Sequence, residues 1–331
     1  MRVVIDTAIP YIKGILEPYS EVIYLPAKEI TAEIVHDADA LIIRTRTKCN
    51  EELLDSSSVK FIATATIGRD HIDQEYCAKH NIEICSAPGC NARGVLQWVA
   101  AALHHITTID QRTPESYTLG VVGVGNVGSL VSQYARHWGF KVMECDPPRK
   151  AREGGEFYTI EEIATSCDII TLHTPLDNTT HHLVNHTLIR AMHPNAIIIN
   201  ASRGEVVDNS AVAESGHRYL FDVWESEPDI KHNILQGAML ATPHIAGYSI
   251  QGKANATAMV VNALAHHFNL PLKEWYPEGI KRTTPQSISW SELSASISRY
   301  CDIEKESLQL KNSPKNFEQI RNNYNYREEY F

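Results

Sequence analysis

The chain has 331 residues, 43% of them apolar and 21% charged, which fits an ordinary globular protein of about two domains. Thirty Lys and Arg against 40 Asp and Glu give a formal net charge of −10. That argues against a general binder of nucleic acid or acidic membrane, since either needs a positive field, but it leaves room for a small anionic ligand at a local basic cluster.

Short β-branched apolar runs recur along the chain. They predict strands at 3–6, 22–25, 40–43, 61–64 and 82–85, then at 119–122, 142–145, 169–172, 197–200, 220–223 and 239–241. Their apolar character is near-continuous rather than alternating, as expected of strands covered on both faces in a parallel sheet. Helical patterns lie between them, for example at 126–138. Residues 91–108 read as a long buried helix between the two strand sets, and 249–268 as a helix after the last strand. The expected fold class is α/β, with two doubly wound parallel-sheet, Rossmann-like domains. Residues 281–331 differ: they carry eight Lys and Arg against seven Asp and Glu, which leaves −11 on residues 1–280. With Trp290, Tyr300, Tyr324, Tyr326 and Tyr330 they are too aromatic for a disordered tail and too short for a core of their own. A short C-terminal dimerisation segment is the expectation.

The seven cysteines are odd in number and contain no CxxC pair, unlike a disulfide framework or structural zinc site. The expected setting is the reducing cytosol. The first residues lack the long apolar core of a signal peptide, and no stretch approaches the roughly 20 apolar residues of a membrane span. Sixteen histidines include three adjacent pairs, but neighbours on a helix point about 100° apart and no HExxH occurs. No metal is expected.

The strand at 119–122 runs into Gly123-Val124-Gly125-Asn126-Val127-Gly128 and then a helical pattern. Gly123 suits the tight turn, Gly125 lets the backbone approach a pyrophosphate, and Gly128 lets the helix pack on the strand. Asp146 ends the next strand, 18 residues after Gly128, where a carboxylate would bond the adenosine ribose hydroxyls. It would repel a 2′-phosphate, so NAD is favoured over NADP, although Arg149 and Lys150 stand nearby.

Three further strand ends carry polar motifs: Asn200-Ala201-Ser202-Arg203-Gly204, Asp222-Val223-Trp224-Glu225-Ser226-Glu227-Pro228, and Thr242-Pro243-His244-Ile245-Ala246-Gly247-Tyr248. Ligands of parallel sheets bind at the carboxyl ends of strands. Arg203 can hold a carboxylate through a planar fork, and His244 can take a hydroxyl proton as a hydride leaves the same carbon. A carboxylate beside the imidazole would orient it and stabilise its charged form; Glu227 is the candidate and Glu225 the alternative. Asp222 is placed to meet the nicotinamide carboxamide. Singly, Arg203 also fits a surface ion pair and His244 a structural loop residue; the joint pattern favours chemistry. In the oxidative direction activity should rise with pH, and replacing Glu227 with Gln should move that rise to lower pH.

Arg44, Arg46 and Lys48 follow the strand at 40–43. If the extended path continues, alternation sends all three to one side, where they suit a phosphate dianion. The alternative is a solvated basic edge that discourages strand pairing.

Together the GxGxxG with Asp146, His173-Thr174-Pro175-Leu176, Ala201-Ser202-Arg203-Gly204, the 222–228 motif and Pro243-His244-Ile245-Ala246-Gly247 resemble the D-isomer-specific 2-hydroxyacid dehydrogenases. The resemblance implies Arg203, Glu227 and His244 as the catalytic three, and picks Glu227 over Glu225 because the family's acid directly precedes the proline. It implies NAD contacts at Asn126, Val127, Asp146, Thr174, Ala201, Ser202, Arg203, Asp222 and Gly247. Within the family, the segments 44–50, 63–73, 87–92, 145–149, 244–248 and 252–254, with Phe317, 321–324 and 327–328, are most similar to members that oxidise 4-phospho-D-erythronate with NAD on the route to pyridoxine. That likeness implies substrate contacts at Thr45, Thr66 and Tyr248, and a homodimer built partly by the C-terminal segment. It divides the chain into a flavodoxin-like substrate domain (1–92 and 253–280), an NAD-binding domain (93–252) and the segment 281–331. Two departures stand out: Thr45 replaces an expected Ser, and only 18 residues separate Arg203 from Asp222, so the helix near 211–215 should be short. The alternatives are another D-2-hydroxyacid dehydrogenase, of phosphoglycerate or hydroxypyruvate type, or an NAD-sensing interaction module on the same fold.

Overall fold

The computed structural model describes residues 1–272 and 274–331; Lys273, within the stretch expected to rejoin the first domain, lies outside the described residues. The chain divides into two compact units, Met1–Asn91 with Ile250–Arg282, and Ala92–Ser249 with Thr283–Phe331.

The first unit is built on β1 (Arg2–Asp6), β2 (Glu21–Leu25), β3 (Ala40–Ile43), β4 (Phe61–Thr64) and β5 (Glu83–Cys85). They pair in parallel in the order β2-β1-β3-β4-β5, the flavodoxin-like arrangement. β3 and β4 are buried at every position, because both faces are covered. Val4, Leu41, Ile43 and Ile62 pack on one side. On the other, Val3, Ile42 and Phe61 meet Val260, Val261 and Leu264 of the helix Ile250–His267.

The second unit holds β6 (Thr118–Val122), β7 (Lys141–Cys145), β8 (Ile169–Leu172), β9 (Ile197–Asn200), β10 (Arg218–Phe221) and β11 (Leu240–Ala241). The order is β11-β10-β9-β8-β6-β7, again with parallel neighbours. The chain steps from β6 to β7 on one side and then returns to place β8 on the other. The crevice at the carboxyl ends of β6 and β8 is therefore the topological switch point, where such sheets bind ligands. All eleven predicted strands are present, with ends displaced by two residues at most. The largest displacement is β10, which ends at Phe221 rather than at Val223, because the Asp222 carbonyl accepts from the His244 amide instead of extending the ladder.

The long helix is Ala92–Asp110, buried nearly all round as its composition predicts. It shares its core with Ile288, Leu293, Ile297, Ile303 and Phe331 of the C-terminal residues. Trp138 packs against both Trp290 and Phe331. Each such buried side chain contributes about 1.5–3 kcal/mol, so residues 283–331 are part of this unit and not a loose appendage. The short helix expected near 211–215 spans Asn209–Ser215; the Asp208 side chain caps its start and Gly216, at φ 76°, ends it.

Candidate active site

The cofactor loop leaves β6 through Gly123, whose φ of 85° and tight approach to His173 (a Cβ would lie 2.7 Å from its carbonyl oxygen) exclude a side chain. At Gly128 a Cβ would fall 1.9 Å from the Gly123 carbonyl oxygen, so helix and loop can close only on glycine. Gly125 is different: nothing of the chain lies within 4 Å of where its Cβ would point, and the helix Asn126–His137 begins directly after it. Asp146 closes the loop from β7, accepting from the Val124 amide at 2.8 Å and from the Arg149 amide at 2.8 Å. Arg149 is paired with Glu153 at 2.6 Å and donates to the Val124 carbonyl. At the end of β8, His173 Nδ1 and Thr174 Oγ1 are buried without a hydrogen-bond partner. Burial pushes the His173 ring down to about 3, so it stays neutral. An open glycine backbone at a helix start, a carboxylate one strand away and orphaned polar atoms at the switch point fit a dinucleotide.

Beyond β9, Asn200 folds the Arg203 turn. Its Oδ1 accepts from the Ser202 amide and hydroxyl, and its Nδ2 donates to the Arg203 carbonyl. Arg203 Nη1 donates to the Ser202 carbonyl at 2.8 Å. Gly204 lies so close to Trp224 that a Cβ would sit 2.1 Å from its carbonyl carbon. The turn carrying Arg203 is thus locked against the acidic motif that follows β10. Ala201, half-buried, lies in the same turn.

Glu227 and His244 are brought together. His244 Nδ1 lies 2.8 Å from Glu227 Oε2, and Glu227 Oε1 accepts from the Trp224 amide at 2.9 Å. Burial pushes the Glu227 carboxyl upward, but the His244 ring, the Trp224 amide and the Arg321 charge outweigh it and hold the group below the usual range. His244 has a left-handed backbone, φ 58°, an unfavourable conformation that persists only where surrounding contacts enforce it. Glu225, the other candidate acid, is used elsewhere: Oε1 meets His182 Nε2 at 2.7 Å and Oε2 accepts from the Asn209 amide.

Asp222 is 1% exposed, and its carboxylate accepts from Thr242 Oγ1, the Ile245 amide and the Ala246 amide at 2.5, 2.8 and 2.8 Å. These bonds anchor the loop that bears His244, a use the sequence did not suggest. Gly247 and Tyr248 follow in that loop. Sequence reasoning gave the C-terminal segment a part in dimerisation and did not foresee that its residues grip this loop. Arg327 donates to the carbonyls of Ile245, Ala246 and Gly94, Glu329 accepts from the Ser249 hydroxyl, and Arg321 Nε donates to the Tyr248 hydroxyl at 3.1 Å. The available signal was charge set among aromatics, in Arg321, Tyr324, Tyr326 and Arg327.

The remaining substrate candidates lie in the first unit. The extended path assumed after β3 does not continue: the Thr47 amide bonds the Arg44 carbonyl, so residues 44–47 turn. Alternation therefore does not align the three cations, which corrects that expectation. Arg44 Nε instead pairs with the buried Asp6 at 3.1 Å. Thr45 and Lys48 line a hollow of about 500 Å³ with Asp70 and His71. The Thr66 hydroxyl lies 2.7 Å from that of Thr64, which in turn meets His71 Nε2 at 3.1 Å. Among the described residues no group of three or more His, Cys, Asp or Glu is placed to hold a metal, and no helix is long and apolar enough to cross a membrane.

The family model described as D-isomer specific 2-hydroxyacid dehydrogenase, NAD binding domain, matches residues 96–246. The chain is 43% identical to an erythronate-4-phosphate dehydrogenase of Bacteroides thetaiotaomicron over 341 aligned residues, covering 99% of this chain and 97% of the relative. It is 35% identical to an erythronate-4-phosphate dehydrogenase of Photorhabdus laumondii, covering 100% and 93%. Among solved structures, NAD⁺-bound 3-phosphoglycerate dehydrogenase of Entamoeba histolytica is 27% identical, with a TM-score of 0.68 over 86% of this chain and 99% of that one. The chain belongs to the D-isomer-specific 2-hydroxyacid dehydrogenase family of oxidoreductases, and its cofactor is NAD.

Proposed function

We propose that the protein oxidises 4-phospho-D-erythronate at C2 to 3-hydroxy-2-oxo-4-phosphooxybutanoate, as a step toward pyridoxine. The full-length likeness to relatives bearing the name erythronate-4-phosphate dehydrogenase supports the substrate. The observation that carries the chemistry is the Glu227–His244 contact of 2.8 Å. With Nδ1 turned to the carboxylate, Nε2 is the atom left to take the C2 hydroxyl proton. Glu227 orients the ring and stabilises its charged form. Arg203 holds the substrate carboxylate through two parallel hydrogen bonds. NAD, when bound, accepts the hydride released from C2.

In this reading Gly123, Gly125, Asn126, Val127, Gly128, Asp146, Thr174, Ala201, Ser202, Arg203, Asp222 and Gly247 serve the cofactor. Arg44, Thr45, Lys48, Thr66 and Tyr248 serve the substrate. The exposed Thr45 and Lys48 beside one hollow support a role in binding it. Residues 1–92 with 253–280 would be the substrate domain and 93–252 the NAD domain. A homodimer assembled through the C-terminal segment is part of the reading; Leu308, 63% exposed, is an apolar side chain that such a contact would cover. The seven free thiols suit the reducing cytosol.

The test is NADH formation with 4-phosphoerythronate, 3-phosphoglycerate and glycerate. Turnover that prefers 4-phosphoerythronate supports the proposal. Preference for 3-phosphoglycerate would reassign the substrate, and tight NAD binding without turnover of any acid would favour an interaction module.

A further inference from the structure

We propose that Arg321, on the C-terminal helix Phe317–Asn322, is a positioning residue for the reaction: by donating to the Tyr248 oxygen it fixes the direction in which the Tyr248 hydroxyl presents its hydrogen. This rests on the reading of Glu227, His244 and Tyr248 as reaction residues. Arg321 Nε donates to the Tyr248 oxygen at 3.1 Å. A guanidinium has no acceptor, so in this bond the phenol oxygen accepts, and the phenol's own hydrogen is turned away from Arg321. A phosphorylated acid presents acceptors at both its carboxylate and its phosphate. The Tyr248 ring is held edge-on by Tyr324 and Tyr326 from the same segment. Arg327 fastens the two carbonyls that precede Gly247, so the phenol is gripped on a fixed backbone.

The charged and titratable groups that act on Arg321 are Tyr248, Glu227 and Glu318. Arg321 is in turn one of the groups that hold the Glu227 carboxyl down. Residues 317–329 therefore grip both the Tyr248 ring and the backbone of the loop that bears His244, beyond any part they play in assembly.

Three variants and one combination test this: Arg321→Gln, Arg321→Lys, Tyr248→Phe, and Arg321→Gln with Tyr248→Phe. Arg321→Gln should raise KM for 4-phosphoerythronate about tenfold, as expected for loss of a hydrogen bond made by a charged group, with a smaller change in kcat. The acid limb of kcat/KM should move to higher pH, because a cation beside Glu227 is gone, and Arg321→Lys should return it. Tyr248→Phe should raise KM similarly, and the combination should add little to either single effect. The Glu227 carboxyl, followed by carbon NMR of labelled glutamate without substrate and assigned with Glu227→Gln, should titrate at higher pH in Arg321→Gln. A wild-type KM, pH profile and titration in a folded Arg321→Gln protein would overturn the proposal, as would KM effects that simply add. If the wild type does not oxidise 4-phosphoerythronate, the proposed function fails, while the Glu227 titration still decides the role of Arg321.

Discussion

Glu227 and His244, seventeen positions apart, meet at 2.8 Å because two loops are each tied down from behind. The Trp224 amide holds the free oxygen of Glu227, and the Asp222 carboxylate holds the backbone just past His244. The pair is thus set by main-chain anchoring on both sides.

Replacing Glu227 with Gln keeps the shape and removes the charge. We expect kcat/KM to fall about a hundredfold, the usual scale for a disabled acid–base device. The acid limb should move to lower pH, opposite in sign to Arg321→Gln. Steady-state profiles of both variants check the two signs together.

The same carboxyl also links pH to stability. Its folded value lies below its unfolded one, near 4.3. Its contribution is therefore fully present above about 4.3 and is lost as pH falls through the lower folded value. Denaturant unfolding should show a weaker pH dependence in Glu227→Gln than in wild type just below pH ~4.3. Identical slopes would mean that the carboxyl is not held down.

Gly125 and Gly204 should separate binding from folding. Gly204→Ala forces a Cβ to 2.1 Å from the Trp224 carbonyl carbon, and should cost about 3 kcal/mol, the upper end of overpacking. Gly125→Ala meets no atom within 4 Å and should leave stability within about 0.5 kcal/mol. It should nonetheless weaken NAD, since its backbone is where a pyrophosphate would approach. Thermal unfolding and NAD titration of both proteins make the comparison; equal NAD affinity in wild type and Gly125→Ala would remove that glycine from the cofactor site.

Asp222→Ala strands three donors, the Thr242 hydroxyl and the amides of Ile245 and Ala246, beneath the His244 loop. We expect a loss of about 3–5 kcal/mol, since each buried donor left without a partner costs about 1–3 kcal/mol. Turnover should also fall even where the protein remains folded. A stable, fully active Asp222→Ala protein would contradict the anchoring role.

Cofactor choice should follow Asp146. Arg149, the nearby cation that would welcome a 2′-phosphate, is paired with Glu153 at 2.6 Å. NAD should bind more tightly than NADP, and Glu153→Gln should narrow the gap by releasing Arg149. Equal affinities in the wild type would refute the assignment.

The eleven strands and the glycine loop were legible because their signals are local. Continuous apolar runs such as Ile197–Asn200 need no knowledge of distant residues, and the roles of Gly123 and Gly128 follow from neighbours a few positions away. The sequence by itself thus determined a parallel α/β chain, a glycine loop at a helix start and a set of candidate reacting groups. Only the tertiary structure decided which groups meet. It turned Glu225 to His182 and left Glu227 for His244, two acids whose sequence positions differ by one alternation. It turned the chain at 44–47, which undid the alignment of Arg44, Arg46 and Lys48. It also drew Arg321 and Arg327 onto a loop more than 70 residues earlier. The physical reason is common to all three. Periodicity reports which face of an element is buried, whereas partner choice depends on loop geometry and on contacts between distant segments, which no local pattern encodes.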